Sequence, residues 1–152
     1  MEKKAKHPID KTTDMSAFDW ENNSVLIARY LPQLFDKELF NWKKDSWAIP
    51  ICCPEKLDPK KYNWKDYSEY VARRCPEKLD PEKYNWEEAS RTVARYCPEK
   101  LDSEKYNWKN DSWAIAQYCP QYLDPDKYNW AEHSGSVSMY CPEKLKLRPK
   151  EV

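Results

Sequence analysis

The chain has 152 residues, of which 40% are hydrophobic and 34% are charged, and its 26 basic and 26 acidic side chains leave no formal net charge. A neutral chain has no overall field to attract nucleic acid or anionic lipid, and a single glycine disfavours β-hairpins and glycine-rich phosphate loops. No apolar run approaches membrane-spanning length and the first residues lack the apolar core of a secretion signal, so we expect a cytoplasmic protein.

A tryptophan recurs every 22 residues without a gap, after a polar segment over 1–17 that we expect to be flexible. Such a period indicates one small structural unit stacked on itself. The units start near residues 19, 41, 63, 85, 107 and 129, and their tryptophans are Trp20, Trp42, Trp64, Trp86, Trp108 and Trp130. We therefore predict a single repeat domain over 18–146, followed by a charged tail over 147–152.

The first half of each unit is predicted to be a helix of roughly three turns. In the copy that begins at Trp64, the residues Ser68, Val71, Ala72 and Cys75 fall on the same helical face as the tryptophan. The residue before the tryptophan is Asn in five copies and Asp in the first, and both are good N-caps. The proline after the cysteine ends the helix.

The second half of each unit, for example CPEKLDPEKY, is too short for a second full helix and is predicted to form short 3₁₀ or α turns. One unit cannot bury its apolar stripe alone, but stacked neighbours can. The predicted fold is therefore all-α: a right-handed short-repeat α-solenoid of six 22-residue units.

The unit DSWAIAQYCPQYLDPDKYNW resembles bacterial short-repeat helical solenoids of the leucine-rich-variant type, in which an α-helix stacks against a 3₁₀ segment. The resemblance covers about residues 18–146 and implies the same α/3₁₀ architecture. Members of that family can carry an N-terminal cysteine cluster for an iron–sulfur centre. The first cysteine here is Cys52, so the resemblance brings no cofactor to this chain.

Five of the six cysteines recur once per unit, as Cys53, Cys75, Cys97, Cys119 and Cys141. Stacked helices lie about 8–10 Å apart, whereas a disulfide needs Cα atoms within about 7 Å, so we expect a ladder of buried thiols. A redox or metal role for the adjacent pair Cys52 and Cys53 is the alternative. The two histidines, His7 and His133, complete no nucleophile–base set. We predict no enzyme activity, no cofactor and no metal.

Two further tryptophans, Trp47 and Trp113, stand outside the repeat pattern, each one residue after the repeated serine. That position is about 140° around the helix from the tryptophan stripe, so we expect both near the surface as partner anchors, or packed on a flanking turn. In the second unit, Pro50 should kink the helix near its end, and Cys52 replaces the usual tyrosine. These four residues are the predicted binding anchors.

Lysines form two ladders along the repeats: Lys56, Lys78, Lys100 and Lys144, and Lys61, Lys83, Lys105 and Lys127. A regular basic ladder beside aromatic rings is one way to contact a phosphate backbone. The first ladder has a glutamate directly before each lysine, which is more typical of a solvated face.

The favoured hypothesis is a non-enzymatic repeat module that binds another protein, as a small adaptor or as an inhibitor that occludes its target. A bacterial or phage-encoded inhibitor of a host system fits this description. The alternative is nucleic-acid binding along the lysine ladders, and self-association through an imperfectly capped end is a further hypothesis. No membrane partner is expected.

Overall fold

The computed structural model describes residues 14–150, and so only part of the predicted N-terminal segment and of the charged tail. Contacts divide these residues into two compact units, 14–63 and 64–150. Each is described by itself, and the single repeat domain over 18–146 stays a prediction. Residues 14–150 contain helices and turns but no strand, and none of these helices has both the length and the apolar character needed to cross a membrane.

Seven α-helices are present among the described residues. In the first unit they are α1 (Trp20–Tyr30), α2 (Trp42–Asp45) and α3 (Ala48–Cys52). In the second unit they are α4 (Trp64–Arg74), α5 (Trp86–Tyr96), α6 (Trp108–Tyr118) and α7 (Trp130–Tyr140). Five of the seven have the predicted length of three turns, and in α4 the dihedral angles of Tyr67 depart from helical values.

The predicted caps start the helices. The Asn85 side chain accepts a hydrogen bond from the backbone N–H of Glu88 at the start of α5, and Asn107 and Asn129 act in the same way on α6 and α7. Asp19 does the same for α1. These side chains satisfy N–H groups that have no partner within the helix, which fixes each helix start at its tryptophan.

A 3₁₀ turn follows each of the five repeat cysteines, and Leu31 takes the place of the cysteine before the first turn. Each turn begins at a proline, where the missing N–H carries no cost. The turns are Pro32–Leu34, Pro54–Lys56, Pro76–Lys78, Pro98–Lys100, Pro120–Tyr122 and Pro142–Leu147. The predicted alternation of one α-helix with one short turn is thereby confirmed.

Pro50 breaks its helix earlier than predicted. The sequence indicated a kink near the helix end, but the break separates α2 from α3 at Ser46 and Trp47. A proline lacks the N–H that would bond the carbonyl four residues back, and its ring clashes with that carbonyl, which belongs here to Ser46. The carbonyl of Ser46 instead accepts from the N–H of Ile49 at 3.0 Å, in a tighter turn.

Consecutive repeats are joined by one asparagine and one serine. The N–H of Asn107 donates to the hydroxyl of Ser90 at 2.9 Å, and the Asn107 amide donates to the carbonyl of Glu87 at 2.8 Å. The Ser90 hydroxyl itself donates to the carbonyl of Trp86 in its own helix. Equivalent N–H donors to serine are Asn41, Asn63, Asn85 and Asn129. In the first five repeats the serine is thus a buried junction to the next repeat.

Within the second unit, α4 packs on α5, α5 on α6 and α6 on α7; within the first, α1 packs on α3. The buried columns hold the repeat tryptophan, serine, aliphatic residue and cysteine. Five of the repeat tryptophans donate their ring N–H to a backbone carbonyl five residues earlier; that of Trp108 donates to the carbonyl of Ser103 at 2.8 Å. The all-α solenoid of 22-residue repeats is confirmed.

Candidate partner-binding site

The candidate site lies on the helix face opposite the buried stripe, within residues 64–150. Here the repeat positions five, nine and ten residues after the tryptophan change from unit to unit. They bring arginine, tyrosine and tryptophan side chains together. The repeat backbone positions them, since each side chain stands at a fixed offset on packed neighbouring helices.

The first groove, which we name the arginine groove, has a volume of about 300 Å³. It runs across α4, α5 and α6. Its lining residues are Glu69, Arg73, Arg91, Thr92, Arg95, Tyr96, Trp113 and Tyr118. Three arginines and one glutamate make its lining cationic in a chain whose overall charge is zero.

Guanidinium groups and aromatic rings alternate along this groove. Arg73 lies 5.2 Å from the centroid of the Tyr96 ring, and Arg95 lies 5.1 Å from the same ring and 5.4 Å from that of Tyr118. Trp113 meets Tyr118 edge to face, with centroids 6.4 Å apart. Distances within about 6 Å are those of cation–π contacts, so both guanidinium groups are attracted to the rings beside them.

Arg91 reaches a buried carboxylate below the groove. Its guanidinium lies 3.8 Å from a carboxylate oxygen of Asp111, and its backbone N–H donates to the other oxygen at 3.3 Å. Burial raises the pKa of Asp111, and the neighbouring Arg91 charge opposes that rise. Asp111 therefore anchors the backbone end of Arg91 while the guanidinium stays about half exposed.

The second groove, which we name the methionine groove, lies on the other side of Trp113 and has a volume of about 470 Å³. Its lining residues are Trp113, Gln117, Glu132, His133, Gly135, Ser136, Met139 and Tyr140. Met139 is 73% exposed, unusually high for a methionine. Gly135 adds no side chain here, and an added Cβ would meet nothing within 4 Å. Trp113 is therefore shared by the two grooves.

The four predicted anchors divide between the two units. Trp113 is half-buried between the two grooves. Trp47 is half-buried at the break between α2 and α3, and Cys52 is half-buried at the end of α3. Pro50 is buried, and its effect on the structure is the break between α2 and α3. The structure places Trp47, Pro50 and Cys52 on one short segment and Trp113 in a cationic, aromatic environment.

The lysine ladders meet carboxylates. Lys61 pairs with Glu38 at 2.8 Å and Lys83 with Asp80 at 2.9 Å, while Lys105 pairs with Glu82 of the preceding repeat. Lys127 likewise pairs with a glutamate of the preceding repeat. In the other ladder Lys56, Lys78 and Lys100 are exposed and Lys144 is half-buried, and each directly follows an exposed glutamate. Phosphate contact along either ladder stays a prediction, and these neighbours do not favour it.

The repeat cysteines behave as packing groups. All six cysteines are free thiols, and the five repeat positions are buried, as predicted. Burial raises the pKa of Cys53, Cys97 and Cys119 to about 12 and that of Cys75 to about 11. A thiol is nucleophilic as its thiolate, so these groups are unreactive at neutral pH. Within residues 14–150, no group of three or more histidine, cysteine or acidic residues is arranged to hold a metal ion.

Sequence reasoning missed the arginine groove and the methionine groove. The signal was present: Arg73 and Arg95 occupy the same repeat position, and Tyr96 and Tyr118 occupy the next one. These positions vary between units, whereas the period is defined by the positions that stay constant. The variable positions of a repeat are the ones that its core does not require.

No protein-family model, no curated protein and no solved structure matches this chain. Interpretation of the site therefore depends on the geometry of the chain itself.

Proposed function

We propose that this protein is a non-enzymatic repeat module that binds another protein through the face formed by the arginine groove and the methionine groove. The observation that carries the proposal is the position of Trp113 between them, flanked by arginine and tyrosine side chains. Tryptophan, tyrosine and arginine are the residues that dominate binding energy in protein interfaces. An adaptor, or an inhibitor that occludes its target, needs only such a face.

The repeat scaffold supports this function because it holds the face in one arrangement. The half-buried Trp113 is supported by Tyr118 and by the two grooves' own walls, so little side-chain freedom is left to lose on binding. We propose a bacterial or phage-encoded protein that acts in the cytoplasm. Six free cysteines are typical of a reducing compartment. The α/3₁₀ alternation also supports the proposed kinship with leucine-rich-variant repeats.

Co-purification from the source cells tests the proposal. The tagged protein is compared with Trp113→Ala and with the matched control Tyr122→Ala, which removes an exposed aromatic ring outside both grooves. We expect a specific partner with the original chain and with the control, and its loss with Trp113→Ala. Nuclease treatment of every sample shows whether capture needs nucleic acid.

Thermal unfolding followed by circular dichroism tests whether the Trp113→Ala variant is folded, and Arg95→Glu provides a second variant with an exposed side chain. Capture that persists in both variants would exclude this face. Capture abolished by nuclease would favour the lysine-ladder alternative. Trp47→Ala, tested in parallel, shows whether the first unit contributes an anchor of its own.

A further inference from the structure

We infer that the two grooves recognise one kind of protein segment, in which carboxylate side chains stand next to a large apolar side chain. The carboxylates bind in the arginine groove, and the apolar side chain lies against Trp113 in the methionine groove. This inference rests on the proposed function and adds the chemistry of the partner to it.

The carboxylate site centres on Arg95. Its guanidinium is flanked by the rings of Tyr96 and Tyr118, and no carboxylate of the described residues lies within 4 Å of it. A cation–π contact leaves the N–H donors of the guanidinium available to an acceptor. Arg95 can therefore offer the two parallel hydrogen bonds that a carboxylate accepts.

The neighbouring arginines hold their own partners loosely. Arg73 lies 3.8 Å from Glu69 and Arg91 lies 3.8 Å from Asp111, both longer than a charge-assisted hydrogen bond. Both guanidinium groups are also about half exposed. A second carboxylate from a partner can approach either of them without displacing a tight ion pair.

The extent of the charge favours an acidic protein segment over nucleic acid. Duplex DNA carries a charge about every 1.7 Å and binds through many phosphate contacts. The arginine groove offers three arginines in one short stretch together with Glu69, and Glu132 lines the methionine groove. A few carboxylates fit this pattern, whereas a continuous polyanion would meet these two glutamates.

The apolar half is formed by Trp113 and Met139. Met139 is the most exposed large apolar side chain of the described residues, and Gly135 leaves the floor beside it open. Methionine is flexible and polarisable, so it adapts to aromatic and aliphatic side chains alike. The volume of about 470 Å³ is within the range of pockets that bind small organic molecules, so the groove has room for one large apolar side chain of a partner.

Titration of the isotope-labelled full chain with the blocked peptide Ac-EEEFG-amide tests the inference. Proton–nitrogen correlation spectra report the indole N–H of Trp113 and the side-chain N–H of Arg95, which are assigned with Trp113→Phe and Arg95→Lys. We expect both signals to shift on one binding curve. In Arg95→Gln the dissociation constant should rise about tenfold through loss of the paired hydrogen bonds. The matched control Arg74→Gln removes an arginine outside both grooves and should leave it unchanged.

Three other probes decide the chemistry. Ac-QQQFG-amide keeps the shape without the charge, Ac-EEESG-amide keeps the charge without the ring, and oligothymidylate offers phosphates. Weaker binding of all three supports the inference. Equal binding of Ac-QQQFG-amide overturns the carboxylate half of the inference, and equal binding of Ac-EEESG-amide overturns the apolar half. Tighter binding of oligothymidylate at the same signals overturns the assignment to protein carboxylates. Absence of shifts at Trp113 and Arg95 overturns the inference alone, since Trp113-dependent capture from cells would still uphold the proposed function.

Discussion

Two stretches of the chain share the pattern Trp-Lys-x-Asp-Ser-Trp-Ala-Ile and yet form different structures. Residues 108–115 begin the continuous helix α6, whereas residues 42–49 are divided between α2 and α3. The sequences first differ materially at Pro50, where α6 has Ala116. One missing backbone donor thus alters the structure four residues upstream, inside the part that is shared.

The same two stretches also differ in what their buried aspartate meets. Asp111 receives the backbone N–H and the charge of Arg91 on α5. For Asp45, the residue that corresponds to Arg91 is Val25 on α1, which carries no charge. One carboxylate oxygen of Asp45 has no hydrogen-bond partner among the described residues. The aspartate of a shared sequence pattern therefore acquires its electrostatic environment from the neighbouring repeat.

The largest expected effect comes from making α6 resemble the broken pair. Ala116→Pro removes a helix N–H and should lower the free energy of unfolding by about 3 kcal/mol or more. Urea unfolding followed by circular dichroism measures this loss. The reciprocal change Pro50→Ala should increase the helical signal by joining α2 to α3. A stable Ala116→Pro protein with unchanged helicity would show that proline does not cause the difference.

Removing one junction serine should have the next largest effect. In Ser112→Ala the N–H of Asn129 loses its acceptor in a part-buried position, which should cost about 1–3 kcal/mol of unfolding free energy. Ser134→Ala is the matched control, because no asparagine N–H within residues 14–150 donates to that hydroxyl. Equal losses in the two variants, measured by urea unfolding, would argue against the junction role.

The buried aspartates should give a smaller, pH-dependent effect. Burial raises the pKa of Asp45 above 3.8, so the folded state binds that proton more tightly than the unfolded state does. Stability from this group is then highest at acid pH and falls as the pH rises through the raised pKa. The unfolding free energy of Asp45→Asn, relative to the original chain, should therefore increase from pH about 4 toward neutrality. A difference that is constant with pH would contradict the raised pKa.

The smallest expected effect is a gain in stability at the methionine groove. Gly135 lies inside α7 without a positive φ, and a Cβ there meets nothing within 4 Å. Gly135→Ala should raise the unfolding free energy by about 1 kcal/mol, because alanine loses less backbone freedom in a helix. Thermal unfolding measures the gain, and destabilisation would mean that the groove is more tightly closed than this geometry shows.

The sequence allowed the repeat architecture to be predicted because its signals are local. Asn85 and Pro98 act on backbone groups within a few residues of themselves, so the bounds of α5 and of the turn that follows could be read directly. The predicted position of the kink near Pro50 was wrong, because the carbonyl that loses its donor belongs to Ser46, one turn upstream.

The arginine groove could not be predicted in the same way. Whether Arg95 stacks on Tyr118 depends on how far α5 is rotated and displaced relative to α6. The 22-residue period sets which positions correspond, but not which of them meet across the space between helices. The ion pairs of Lys61 and Lys105 depend on the same relation between one repeat and the next.

The bond between each asparagine and the serine of the preceding repeat has a consequence for how such a chain changes in length. Each interior repeat carries both members of the junction. Its serine hydroxyl accepts a hydrogen bond from the asparagine N–H of the next repeat, and its own asparagine N–H donates to the serine of the preceding repeat. Genetic duplication or deletion of a whole 22-residue segment would therefore rejoin matching halves and preserve every interior contact of this type. A shift by any other number of residues would leave a serine without its donor, so growth or shortening in whole repeats is the change that this fold tolerates.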